Sequence, residues 1–79
     1  THELKDMVRE IVTEICSDAS MHDFRVVDGP THTNLIFDVV LPRKSGITEE
    51  DFKKSVDEQV KKKDKKFFTV INIDRSFAI

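Results

Sequence analysis

Side chains that could bind a divalent cation are spread over three stretches of this sequence. Asp38 lies within the longest β-type stretch, and Asn72 and Asp74 lie two residues apart near the carboxyl end. Two carboxylates and an amide at short range repel each other or lack partners unless a cation or a donor lies between them. A divalent metal ion is the simplest such cation, and His22 and His32 offer imidazole nitrogen for it. The alternative is an ordinary polar surface in water, which the spacing alone favours.

A β-hairpin should position most of these side chains. The residues 21–27 and 33–41 are rich in β-branched and aromatic side chains, and they flank a turn that contains Gly29 and Pro30. Pro42 lacks the N–H that a sheet ladder needs, so the second strand should end there. The alternation within 33–41 predicts a core face and a second face, formed respectively by Leu35, Phe37, Val39 and Leu41 and by Asn34, Ile36, Asp38 and Val40.

Two amphipathic helices and a last strand complete the pattern. Apolar residues at helical spacing predict helices over 3–17 and 48–63, and Thr48 is placed to cap the second helix. The stretch 67–74 predicts a third strand, parallel to the second if the two are neighbours. The order is therefore αββαβ, an α+β fold with two helices on one face of a three-stranded mixed sheet. The opposite face is uncovered and should expose the apolar side chains of Ile36, Val40, Phe68 and Val70.

The composition limits the classes of function. A chain of 79 residues predicts one domain, 1–79, with marginal stability unless a metal or a partner chain adds to it. The formal net charge of −2 argues against a dedicated nucleic-acid binder. We interpret the lysine-rich run 61–66 as a solvated helix end, the alternatives being a phosphate or nucleic-acid patch or a contact with an acidic membrane. No apolar stretch approaches the roughly 20 residues that span a bilayer, so the polypeptide should be soluble.

Chemistry other than metal binding has little support in the sequence. The single cysteine, Cys16, follows Val12 by one helical turn and should be a small, buried or half-buried side chain. The sequence contains no nucleophile beside a base, no glycine-rich phosphate loop and no HExxH-type motif. We therefore expect that the protein is not an enzyme.

Four segments share a pattern with a known family. They are Met21–Val26, the turn Gly29–Thr31, the strand through Asp38 and the closing segment Val70–Asp74. Together they resemble the cytosolic C-terminal domain of cation diffusion facilitator transporters over nearly the whole chain. Members export divalent cations in exchange for protons through a separate transmembrane domain, and their C-terminal domains dimerise and bind metal. The resemblance implies a ferredoxin-like or metallochaperone-like fold and a homodimeric, metal-sensing domain. It also implies continuity with a transmembrane domain, at the cytoplasmic face of the cell membrane.

The same resemblance implies a set of metal ligands. His22 matches the family's strand histidine, and Asp74 matches its carboxylate on the last strand. Asp38 falls where zinc-binding members place a histidine, if the turn has one extra residue, and Asn72 stands where they place another. The resemblance implies zinc as the bound metal, and the replacement of imidazole by oxygen ligands leaves room for a harder cation such as manganese. Further candidate ligands are His2, Asp6 and His32.

Two other functions fit parts of the pattern. A metal-independent dimerisation or protein-interaction module would use the uncovered face for its partner, and divalent ions would not affect it. A ferredoxin-like nucleic-acid binder would use the lysine run. However, the uncovered face carries acids instead of the aromatic and basic residues on which such binders depend. We therefore expect no nucleic acid among the partners.

Overall fold

The computed structural model describes residues 2–76, with side chains from residue 3 to residue 75. Its elements are α1 (His2–Ile15), β1 (Ser20–Asp28), β2 (Thr33–Pro42), α2 (Glu49–Lys63) and β3 (Phe67–Ser76). This confirms the predicted αββαβ order. The first helix ends two residues before the predicted boundary, and the last strand continues two residues beyond it. Within residues 2–76, no helix has both the length and the apolar character that a bilayer span requires.

The three strands form one mixed sheet with β2 in the middle. β1 pairs with β2 antiparallel, and β2 pairs with β3 parallel. Burial alternates along the whole of β2, and the predicted core face is completely buried, from Leu35 to Leu41. The architecture is therefore the predicted α+β, ferredoxin-like fold.

Both helices pack on the same face of the sheet. α1 packs against β1 and α2, and α2 packs against β3. The side chains with the least solvent exposure in the core are Val8, Val12, Leu35, Phe37, Val39, Leu41, Phe52, Val56 and Val60. Cys16 is half-buried at the edge of this core, as predicted. The sheet face opposite the helices, called the open face below, has no element over it among the described residues.

A β-bulge in β1 decides which of its side chains point to the open face. The pairing with β2 shifts between His22 and Arg25, and Asp23 has a positive φ of 55°. Aspartate tolerates this left-handed conformation better than most residues do. With two residues in the place of one, Phe24 turns to the core, where its ring centroid lies 5.9 Å from that of Phe37. His22, Arg25 and Val27 consequently share the open face, an arrangement that strict alternation does not produce.

The second helix begins at a side-chain cap, as predicted. Thr48 has an extended backbone, and its Oγ1 accepts a hydrogen bond of 3.1 Å from the N–H of Asp51. Three acidic residues in the first turn and three lysines in the last match the helix dipole. Ile47, directly before the cap, is half-buried against the core that contains Phe52. The start of α2 is thus determined locally by the sequence.

The cap should contribute measurably to stability. We expect Thr48→Ala to lower the free energy of unfolding by about 1 kcal/mol, because one N–H at the start of α2 loses its acceptor. Thr13→Ala is the matched control, since its hydroxyl only bonds back to the carbonyls of Arg9 and Glu10 on an exposed helix surface. That change should be neutral or slightly stabilising. Urea titration of both variants measures the difference, and equal midpoints would show that the cap contributes nothing.

Arg75 joins the end of β3 to the connection between β2 and α2. Its Nη1 donates to the carbonyl of Pro42 at 3.2 Å and to Oγ of Ser45 at 3.0 Å. Its Nη2 donates to the carbonyl of Ile47 at 2.7 Å, and Nε lies 4.0 Å from a carboxylate oxygen of Glu49. One half-buried guanidinium therefore contacts most of the segment that leads into α2.

Candidate metal site

Three of the predicted ligands form one row across the open face. His22 on β1 pairs with Asp38 on β2, and Asp38 pairs with Asn72 on β3. Side chains that face each other across neighbouring strands have Cβ atoms about 5 Å apart. The sheet therefore brings together an imidazole, a carboxylate and an amide whose positions in the sequence are far apart.

Asp74 lies in the next row and not beside Asp38. It pairs with Val40, which pairs with Ser20 on β1. Asp74 is therefore a diagonal neighbour of Asp38 on the same face. Its side chain is exposed, as are those of His22 and Asn72, whereas Asp38 is half-buried.

The polar groups of the row already have hydrogen-bond partners. Nδ2 of Asn72 donates to Oδ1 of Asp38 at 3.2 Å, and Nε2 of His22 lies 3.1 Å from Oγ of Ser20. Within the described part of the chain, no buried side-chain nitrogen or oxygen lacks a partner. The carboxylate of Asp38 keeps lone pairs for a further ligand, because Asn72 occupies only one of its sites.

The bulge adds two residues that the sequence pattern did not single out. Asp23 and Arg25 line a shallow open cleft together with Asp38 and Asn72. Neither could have been placed by alternation, since their positions depend on the extra residue in β1. The cleft combines two carboxylates, one guanidinium and one amide, so it suits a polar ligand better than an apolar one.

The donor types fit a divalent cation, but the described side chains do not complete a site. Imidazole nitrogen with carboxylate and amide oxygen is a ligand set that zinc or manganese accepts. Among the side chains of residues 3–75, however, no group of three or more His, Cys, Asp or Glu is close enough to hold a metal ion. Water or a second chain would be sources of further ligands.

Two of the further candidate ligands, His32 and Asp6, are not brought to this row. His32 lies in the β1–β2 turn, where Nδ1 is 2.8 Å from Oγ1 of Thr31 and the ring meets that of Phe68 edge-on at 4.2 Å. Asp6 is on α1, on the helical side of the sheet, and pairs with Arg9 at 3.5 Å. The side chain of His2 lies outside the described residues.

The other half of the open face is mainly apolar. Its two rows are Arg25–Ile36–Val70 and Val27–Asn34–Phe68. Val27, Val70 and Phe68 are 50%, 48% and 37% exposed, which is high for side chains of this type. The sequence predicted that Phe68 and Val70 are exposed, and this is confirmed. It predicted the same for Ile36 and Val40, which are half-buried instead. It missed Val27, whose direction the bulge sets.

The lysine run lies at the end of α2 and directly after it, and some of its lysines form ion pairs within the chain. Both carboxylate oxygens of Asp57 accept from Nζ of Lys61, at 2.9 and 2.7 Å, and Oδ1 also accepts from Oγ1 of Thr69 at 3.1 Å. Nζ of Lys61 lies 4.4 Å from the ring centroid of Phe68, within range of a cation–π contact. The acid stands four residues before the base, which is the favourable order for an ion pair on a helix.

The fold and the open face together define a ferredoxin-like domain with one sheet surface free for a ligand or a partner. A solved structure of the proposed zinc transporter CzrB has the same fold, with a TM-score of 0.71 and 15% sequence identity over 94% of this chain and 94% of that chain. No protein-family model matches the sequence, and no curated protein matches it either. At this identity, the likeness establishes the fold.

Proposed function

We propose that this chain is the cytoplasmic dimerisation and metal-sensing domain of a divalent-cation/proton antiporter that exports metal ions. The observation that carries the proposal is the row of His22, Asp38 and Asn72 across an open sheet face, with Asp74 beside it. The likeness in fold to a zinc transporter over nearly the full chain supports it. In this role the chain is non-catalytic and follows a transmembrane domain, to which it is joined through the start of α1, at the cytoplasmic face of the cell membrane.

A second copy of the chain is the partner that best fits the open face. Three strands of about ten residues present a face of roughly 450 Å². A stable interface of standard size buries about 800 Å² on each partner. Apolar contact across this face alone should therefore give a weak dimer, and a shared metal ion would strengthen it.

A two-fold axis parallel to β2 makes the two faces complementary. Each row then faces the same row of the second copy, so Val27 meets Phe68 and Ile36 meets itself. An axis perpendicular to the strands would instead place the apolar rows over the polar rows. Both arrangements are isologous, as interfaces of identical subunits usually are, but only the first places apolar rows against apolar rows.

The parallel axis also completes the ligand set. It places the two Asp38 carboxylates opposite each other, with His22 of each copy facing Asn72 of the other. Two carboxylates that face each other closely repel, and a divalent cation between them removes the repulsion. Metal binding and dimerisation are linked for this reason, with zinc or manganese as the ion and Asp74 as an additional ligand.

The alternative is a metal-independent dimerisation or protein-interaction module. The hydrogen bond from Asn72 to Asp38 favours it, because the row already satisfies part of its polar groups without an ion. The lack of a three-ligand cluster among the described side chains favours it too. The two functions differ in one respect: the module dimerises equally well with and without divalent ions.

Sedimentation at tens of micromolar tests the assembly. We expect a mixture of the 9.1 kDa species and its dimer without metal, and a shift to the dimer with zinc. Ile36→Glu should abolish the dimer, because Ile36 meets itself across the two-fold axis and the two introduced carboxylates would face each other. Gln59→Glu adds the same charge at an exposed position of α2 and should not change assembly. A monomer under all conditions would refute the proposal, and dimerisation independent of zinc would support the alternative.

A further inference from the structure

Some lysines at the end of α2 and directly after it have no ion-pair partner among the described residues. Lys61 pairs with Asp57, and Nζ of Lys66 lies 3.8 Å from Oδ2 of Asp64. Lys62, Lys63 and Lys65 are exposed, and no described residue forms an ion pair with them. The three remaining ammonium groups lie within four positions of the chain.

Charge is distributed unevenly along the molecule. The chain is elongated, at 43 × 20 × 17 Å, and α2 runs from an acidic first turn to a basic last turn. The acidic turn, Glu49–Asp51, follows β2 after a short connection, so it lies at the end of the sheet where β2 finishes. The basic turn lies at the other end, where the N–H of Thr33 donates to the carbonyl of Lys66 at 2.8 Å.

The first helix begins at the basic end. Only residues 16–19 join α1 to β1, so α1 ends near the point where β1 starts. The helix therefore runs along the sheet in the direction opposite to β1. α1 packs against both β1 and α2 and is about 21 Å long, which places its first turn toward the lysine end. The start of α1 and the unpaired lysines are therefore on the same side of the molecule.

We propose that the end of the molecule formed by Lys62, Lys63 and Lys65 contacts an anionic membrane surface. This inference rests on the proposed function, which attaches the domain to a transmembrane segment through the start of α1. Anionic lipid attracts exposed lysines that lie near the surface, and the acidic end of α2 would point away from it. Glu3 and Glu58 are exposed acids near the lysines, so the attraction is weak. A tethered domain tolerates weak attraction, because the tether keeps its local concentration high, and low ionic strength strengthens the attraction enough to measure it with the free chain.

The test is sedimentation of the chain with vesicles in the presence of a metal chelator. We expect the chain to bind vesicles of equal parts phosphatidylcholine and phosphatidylserine at low ionic strength, and not vesicles of phosphatidylcholine alone. Each lysine near the surface should change the partition coefficient by about fivefold. The triple variant Lys62→Gln, Lys63→Gln, Lys65→Gln should therefore lose measurable binding, and high salt should have the same effect.

A second triple variant distinguishes the effect of lysine position on vesicle binding from the effect of net charge. Lys44→Gln, Lys53→Gln, Lys54→Gln removes the same charge from exposed positions in the connection before α2 and in its first half. It should keep most of the binding. Equal loss in both triple variants, no binding of the parent chain, or tighter binding to a single-stranded RNA than to the vesicles would each overturn the inference. Because the assay contains no free metal, its failure leaves the zinc response untouched, and the reverse also holds.

Discussion

Zinc at about a hundred times its dissociation constant should raise the free energy of unfolding by about 2.7 kcal/mol. The proposed ligands come from three different strands, and only the folded sheet brings them together. An ion that binds the folded state alone must therefore stabilise it. Thermal unfolding with zinc, manganese and magnesium measures the effect. We expect the first two ions to raise the midpoint and magnesium, which prefers an octahedral shell of oxygen and water, to raise it least.

Variants of the two carboxylates identify the site. Asp74→Ala and Asp38→Asn should each lose most of the gain from zinc, the second with little change in shape. Asp18→Ala is the control, because it removes an exposed carboxylate in the connection between α1 and β1. The gain should also be smaller in acid, since protons compete with a metal ion for its ligands. If no ion raises the midpoint, or if Asp74→Ala responds like the parent chain, the metal-sensing function is wrong and the metal-independent module replaces it.

Arg75→Ala should lower the free energy of unfolding by about 2–3 kcal/mol. Hydrogen bonds from a charged donor are worth about 1.5–3 kcal/mol each, and Arg75 makes three of them to the segment between β2 and α2. Part of the loss is recovered because water can reach the released carbonyls at this half-buried site. For a domain of this size the change corresponds to a fall of roughly 10–20 °C in the unfolding midpoint.

Two further substitutions distinguish the effect of the planar guanidinium group of Arg75 on stability from the effect of its charge. Arg75→Lys keeps the charge but cannot reach several acceptors in one plane, so its effect should be intermediate. Arg9→Ala removes a guanidinium whose Nη1 lies 3.5 Å from Oδ1 of Asp6 on an exposed helix surface. It should cost no more than about 0.5 kcal/mol. Equal stability of Arg75→Ala and Arg9→Ala would show that the contacts with the connection are not stabilising.

The order of the elements followed from local patterns in the sequence. The alternation in β2 placed Leu35 and Phe37 in the core, and both are completely buried. Thr48 caps α2 as its position before an acidic turn predicts, and Asp57 pairs with Lys61 one helical turn on. Each of these features depends on residues within about four positions of one another, and such features are written into the sequence directly.

The layout of the open face could not be obtained in this way. The left-handed backbone of Asp23 starts a bulge, and the bulge turns Phe24 into the core while His22, Arg25 and Val27 face outward. Strand register then places Asn72, and not Asp74, beside Asp38. A pattern in one strand states which residues share a face, but it does not state which residue of the next strand lies opposite.

The sequence by itself thus determined the fold class, the strand and helix positions and the residue types available for metal binding. Only the tertiary structure decided that His22, Asp38 and Asn72 form one row, that Asp74 belongs to the next, and that Arg75 holds the segment before α2. The physical reason is the range of the interactions. Helix periodicity, strand alternation and caps are set by neighbours in the chain, whereas register and the contacts of a long side chain are set by the packing of segments that lie tens of residues apart.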